Sequence, residues 1–195
     1  MANAREILSR MKSVQDTRKI TNAMYLISST KLKKSKKLLE ETEPYFYSLQ
    51  DLIRRILRHM PDVEHFYFNP RKEIKEEDRV KGLIVITGDK GLAGAYNHNV
   101  LKMAQEWMEQ SKNHRLYVVG ELGRHYFEAR HVQVEEQFHY TVQNPTMHRA
   151  RLISSTILED YEEGRLDEVW IIYTQMLNSM QMEAEMTELL PLKRE

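Results

Sequence analysis

Gly82-Leu83-Ile84-Val85-Ile86-Thr87, followed at once by Gly88-Asp89-Lys90-Gly91-Leu92-Ala93-Gly94, decides the fold. The first six residues form a short, nearly continuous apolar run, the mark of a strand buried on both faces. The glycine-rich turn leads into a helical pattern from Tyr96 to Gln110. Toward the C-terminus the same grammar repeats. Leu116-Tyr117-Val118-Val119 reads as a second strand and Glu121 to Ala129 as a helix. A weak strand is expected near Val132 to Phe138. Pro145 opens a helix that runs to about Glu163 and is closed by Gly164, and Glu168-Val169-Trp170-Ile171-Ile172-Tyr173 is a further buried strand. Met180 to Leu190 fits either an edge strand or a helix. Strands alternating with helices predict an α/β domain over residues 80–195, a Rossmann-like, mostly parallel sheet covered by helices.

Toward the N-terminus the chain changes character. Residues 59–79 read as a connecting loop that carries a packed aromatic anchor, Phe66-Tyr67-Phe68. Residues 1–58 read as one long coiled-coil helix. Ala2 to Glu43 holds no Gly or Pro, and Pro44 is expected to kink the helix or start a second one. Ile7, Met11 and Val14 fall four and three residues apart, and Ile20, Met24 and Ile27 repeat that spacing after a slip. This is a coiled-coil seam with a local change of winding. Leu49, Leu52, Ile53, Ile56 and Leu57 form an apolar stripe expected to face the α/β body. Ala2 to Leu57 would extend about 84 Å, longer than a compact domain of this size is wide. The helix is therefore expected to project or to lie across other subunits. Thr17, Thr21, Ser28, Ser29 and Thr30 lower its intrinsic helicity, so it needs a partner helix.

Formal net charge is zero, but its distribution is uneven. Up to Glu40 the chain has ten Lys and Arg against three Asp and Glu, and the remainder carries the compensating excess of acid. A basic rod on an acidic body suits an anionic partner, although a solvated basic face explains the run equally well. There is no cysteine, which excludes disulfides and thiolate chemistry. Val169 to Tyr173 is the longest apolar run, far short of the roughly 20 residues of a spanning helix. The chain is expected to be soluble, or to reach a membrane only through other proteins.

Little points to catalysis. Gly88, Gly91 and Gly94 match neither the dinucleotide pattern nor the P-loop, where Gly-Lys precedes Ser or Thr; here Lys90 precedes Gly91. Gly88, Asp89, Gly91 and Gly94 are read as a structural strand-to-helix turn, in preference to a phosphate cradle. The eight histidines show no ligand spacing. The carboxylate pairs Glu159-Asp160 and Glu162-Glu163 look like solvated surface, and no G-x-S-x-G elbow is present. Lys31-Leu32-Lys33-Lys34-Ser35-Lys36-Lys37 points its charges several ways and has no interleaved aromatics, which argues against nucleic acid. No catalytic, cofactor or metal residue is assigned.

The segment Gln15-Asp16-Thr17-Arg18-Lys19-Ile20-Thr21-Asn22-Ala23-Met24 with Ser29-Thr30-Lys31-Leu32 closely resembles the N-terminal helix of the gamma subunits of F-type ATP synthases. Thr87 to Gly94, Val119-Gly120-Glu121-Leu122-Gly123-Arg124, Tyr173 to Met180 and Leu189-Leu190-Pro191-Leu192 resemble later family segments in the same order. The resemblance implies a central-stalk rotor without chemistry or cofactors of its own. Such a rotor couples proton or sodium flow through the membrane ring to ATP synthesis and hydrolysis at the alpha and beta subunits. The implied partners are the alpha and beta subunits, the epsilon subunit and the ring of c subunits. The implied place is the cytoplasmic face of a bacterial cell membrane, reached through those subunits. Ile7, Met11, Val14, Ile20, Met24 and Ile27 would be the helix-pairing seam, and Lys19, Lys31, Lys33 and Lys34 the stator-facing basic set. In the family a long C-terminal helix follows Leu-Leu-Pro-Leu, and these 195 residues do not contain it. A shortened product, a divided gene and a paralogue are the expectations that follow. Two alternatives stand beside the rotor: a homodimeric or assembly module that pairs two seams, and a nucleotide-binding α/β enzyme.

Overall fold

The computed structural model describes residues 2–59, 65–68, 71, 73–178 and 181–193. Pro61 and Lys72 of the expected loop, and Met180 at the start of the expected last segment, lie outside them. The chain divides into two units, Met1–Asp62 and Val63–Glu195. The first is a single helix, α1, Ala2–His59. At 58 residues it measures about 87 Å. The helix runs through Pro44 without a break, so no second helix starts there. Proline removes one backbone donor, but the hydrogen bonds on either side continue, and Ser48 Oγ donates to the Pro44 carbonyl at 2.8 Å. Thr17, Thr21, Thr30 and Thr42 likewise donate to carbonyls one turn back. These five hydroxyls are thus satisfied within the helix. In the apolar stripe near the end of this helix, Leu49, Leu52, Ile53 and Ile56 are exposed and Leu57 is half-buried.

The second unit is a three-layer α/β domain. Its strands are β1 Lys81–Ile86, β2 His114–Val119, β3 Glu168–Met176 and β4 Met182–Leu190, in the order β2-β1-β3-β4. β1 pairs in parallel with β2 and β3, and β4 pairs antiparallel with β3 as an edge. The helices are α2 Tyr96–Gln110, α3 Glu121–Glu128 and α4 Met147–Glu162. Period-two alternation divides the core. Leu83, Val85, Leu116, Val118 and Ile172 pack with Val100, Leu101, Ala104 and Trp107 of α2 and Phe127 of α3. Ile84, Tyr117, Val119 and Val169 pack on the other face with Ile157 and Tyr161 of α4. Helices on both faces explain why β1 reads as an unbroken apolar run.

Residues 129–146 correct one expectation. Val132 to Phe138 is a loop, not a strand: it is tied to β2 by Glu135, whose N–H donates to the Leu116 carbonyl at 2.9 Å and whose carboxylate lies 3.4 Å from Arg115, and the one bridge to β2, Val119 with Tyr140, falls just beyond it. Val134 and Phe138 are buried as plugs, which produced the strand-like apolar spacing. The ambiguous last segment is the edge strand β4. The aromatic patch is a short 3-10 turn, Phe66–Phe68, in which Tyr67 packs against the second core and donates to Glu162 at 2.9 Å.

Candidate functional site

Four groups of residues could carry function, and each is built differently. On α1, Ile7, Met11, Val14, Ile20, Met24 and Ile27 are all exposed, from 49% at Met24 to 68% at Val14. Apolar residues between them, Leu8, Tyr25 and Leu26, are exposed to a similar degree. Among the basic residues, Lys19 lies 3.3 Å from Asp16, one turn away, and Lys31, Lys33 and Lys34 are exposed. Exposed pairs of this kind contribute little to stability, so these charges remain available for an outside partner.

The glycine turn after β1 is closed by its own side chains. Asn97, in the first turn of α2, accepts from the Gly88 N–H at 2.7 Å. Asp89 Oδ1 accepts from the backbone N–H groups of Glu121 and Val142, both at 3.2 Å. Asp89 therefore ties the turn to the N-terminus of α3, where a carboxylate is favoured. Gly94 takes a left-handed φ of 56°, but Leu92 does so too, at 62°, and Gly91 meets no neighbour within 4 Å. Thr87 Oγ1 accepts from the Gly123 N–H at 3.0 Å and locks the turn to α3. Beside the turn, Ala93, Ala95, Tyr96, Asn99, Thr174, Met182 and Ala184 line an open depression of about 260 Å³. Its polar side chains are Tyr96, Asn99 and Thr174, and it gathers no carboxylate, His or Lys beside them.

Two polar networks escaped the sequence reading. Asp160 is buried, not solvated surface as expected. It accepts from Tyr117 Oη and from Arg165 Nε, the latter at 2.6 Å, and lies 3.4 Å from an Arg115 nitrogen. Burial, and then the hydrogen bond to this carboxylate, push the Tyr117 hydroxyl well above its ordinary pKa. The second network joins the segment before β1 to the start of β3. Arg71 reaches Asp167, and Arg79 reaches Glu168 at 2.9 Å. The hydrogen bond to Glu168 raises the pKa of Arg79 further. Neither network is visible as a motif, because the partners that define it, Tyr117 with Asp160 and Arg71 with Asp167, lie 43 and 96 residues apart. Among the described residues, no group of three or more His, Asp or Glu could hold a metal ion, and no helix is long and apolar enough to cross a membrane.

Compared with known proteins, residues 3–195 match a family described as ATP synthase. The ATP synthase gamma chain of Acetivibrio thermocellus is 45% identical over 193 residues, which cover 99% of this chain. This chain belongs to the ATP synthase gamma-chain family. A sodium-ion-specific gamma chain from Acetobacterium woodii is 36% identical over 99% of this chain. The chain spans 65% and 62% of these two relatives' lengths. The fold also matches the central stalk and c-ring structure of the Tetrahymena thermophila mitochondrial ATP synthase. The TM-score is 0.66 with 23% identity, covering 88% of this chain and 72% of that one. The long helix joined to a mostly parallel α/β sheet is therefore a gamma-chain architecture.

Proposed function

We propose that this chain is a rotor element of the central stalk of an F-type ATP synthase. Residues 1–58 are one strand of the shaft, residues 59–79 the connection and residues 80–195 the α/β foot. The shaft turns inside the alpha and beta subunits, the foot meets the epsilon subunit and the c ring, and catalysis resides in the head. The chain needs no cofactor and contacts the membrane, on its cytoplasmic face, through those subunits. The observation that carries this reading is the exposed seam from Ile7 to Ile27 on a 58-residue helix. A helix so long with an uncovered apolar stripe is half of a two-helix device. Lys19, Lys31, Lys33 and Lys34 face the stator with charge whose attraction is long-ranged and tolerant of angle, which permits turning where interlocked side chains would resist it. The ion that drives it is sodium or protons.

The test is a chimera: residues 3–193 replace the matching part of a relative's gamma chain, and ATP-driven ion pumping is measured in inverted vesicles. Retained pumping supports the rotor reading; an assembled complex that hydrolyses ATP without pumping refutes it. Replacing Lys31, Lys33 and Lys34 by Gln in that chimera lowers the ions moved per ATP. An unchanged ratio removes the stator role of those lysines. The same exposed seam supports a second reading, a homodimer of this chain. Sedimentation at micromolar concentration decides it: a monomer excludes the paired form.

A further inference from the structure

We propose that the outer edge of β4 is a docking site for an extended segment of another chain, one that alternates apolar residues with Lys or Arg and joins the sheet as a fifth strand. The inference goes beyond the rotor reading and stands without it, because every residue it uses lies in the α/β unit.

β4 ends the sheet, and among the described residues it pairs with β3 alone. An end strand leaves a row of backbone N–H and C=O groups free to pair with a further strand. Folds commonly guard such an edge by keeping it short or by placing Lys or Pro in it. β4 carries neither guard. It is nine residues long and contains no Lys, Arg, Gly or Pro. Its one irregularity lies at its C-terminal end, opposite Val169 and Trp170, so Met182 to Glu188 run in unbroken register.

The side chains define what the added strand carries. Alternate residues share a face of a sheet. Met182, Ala184 and Met186 stand on the α2 face, opposite Met176, Thr174 and Ile172 of β3. Met182 is 52% exposed and Met186 39%. Glu183 and Glu185 stand on the other face, and neutral groups hold them there. Gln181 Nε2 donates to Glu183 Oε1 at 2.6 Å, and Tyr173 Oη donates to Glu185 Oε2 at 3.2 Å. Glu188 has Lys193 at 2.6 Å, whereas Glu183 and Glu185 have no cationic partner among the described residues. A strand laid along this edge therefore meets methionine on one face and uncompensated carboxylate on the other. Apolar residues opposite the first and Lys or Arg opposite the second are the matching cross-strand pairs. A second copy of β4 fits less well. It brings three glutamates and no cation within the strand, so pairing β4 with β4 gathers six carboxylates on one short ribbon.

The test uses the full chain and synthetic peptides, with binding read from the backbone amides of β4 and with Val85 and Val118 as controls inside the sheet. A peptide alternating Val and Lys should bind at least about tenfold more tightly than one alternating Val and Glu. The Val–Lys peptide is also made N-methylated at each Val and, separately, at each Lys. One of the two loses binding at least about tenfold, because only one set of its N–H groups faces β4. Glu183→Lys with Glu185→Lys should reverse the preference toward the Val–Glu peptide while the control amides hold. Equal binding of the Val–Lys and Val–Glu peptides overturns the proposal. Full binding by both N-methylated forms does so too, since it reduces the contact to plain charge attraction. An unreversed preference in the double variant removes the role of the two carboxylates and overturns it as well. If the β4 amides shift with the chain's own concentration and no peptide, a second copy holds the edge and the proposal fails.

Discussion

Gly120→Ala should be among the most damaging single-methyl changes in the α/β unit. Gly120 sits where the end of β2, the turn after β1 and the 129–146 loop meet. Its φ of 106° lies in a region open almost only to glycine. A Cβ placed there would stand 2.4 Å from the Thr87 carbonyl oxygen and 2.6 Å from Thr87 Oγ1. The nearer atom is backbone, so no rotamer change relieves it. Its N–H donates to the Tyr140 carbonyl at 2.8 Å, which ties its position to the loop as well. Backbone strain of about 1–3 kcal/mol and overpacking of about 1–3 kcal/mol together predict a loss of roughly 4 kcal/mol. For a domain of this size that corresponds to a fall in Tm of roughly 10–20 °C. Urea titration read by tryptophan fluorescence measures it cleanly, because both tryptophans, Trp107 and Trp170, lie in this unit. Gly91→Ala is the internal control: nothing lies within 4 Å of its Cβ, so the change should stay within about 0.5 kcal/mol of the starting chain. If Gly120→Ala loses less than about 1 kcal/mol, the close approach of Thr87 to Gly120 is wrong.

Two further outcomes follow from the burial pattern. Because the folded state holds the Tyr117 proton beyond its ordinary pKa of 10.0, only the unfolded chain releases it near that pH. Stability is then complete below about pH 10 and declines as pH rises above it. Tyr117→Phe should flatten that alkaline decline, and denaturant midpoints with the same slope on both chains would contradict the buried Tyr117–Asp160 contact. In the chain shown by sedimentation to be monomeric, amides of residues 3–30 should exchange near unprotected rates while those of α2 remain protected. Helix-level protection there would show that the seam needs no partner.

The parts of the fold that rest on local pattern were legible in the sequence. α2 runs from Tyr96 to Gln110 as its periodicity indicates, and the apolar run from Gly82 to Ile86 lies within β1. What escaped was decided by contacts between distant residues. Val134 and Phe138 carry strand-like spacing, but their segment plugs the sheet without pairing along it. Asp160 sits beside Glu159 in a stretch that looks like helix surface, and only the fold brings Tyr117 and Arg115 to it. Apart from Thr187, β4 is built of Met, Glu, Ala and Leu, which favour helix, and eight paired positions on β3 override that preference. For the candidate site, the seam and the glycine turn were visible as spacing, whereas Arg71, Arg79 and Asp167 belong to no motif.

Cysteine accessibility offers the most direct test of the shaft, since the chain has no cysteine of its own. Single cysteines replace Ile20 and Ile27 in the seam, and Asn22 and Tyr25 outside it, and alkylation rates are compared in the isolated chain and in an assembled ATP synthase. The account predicts similar rates for all four in isolation and, on assembly, at least about tenfold slower labelling of the seam pair relative to the outer pair. Equal slowing of both pairs, or none, would contradict it.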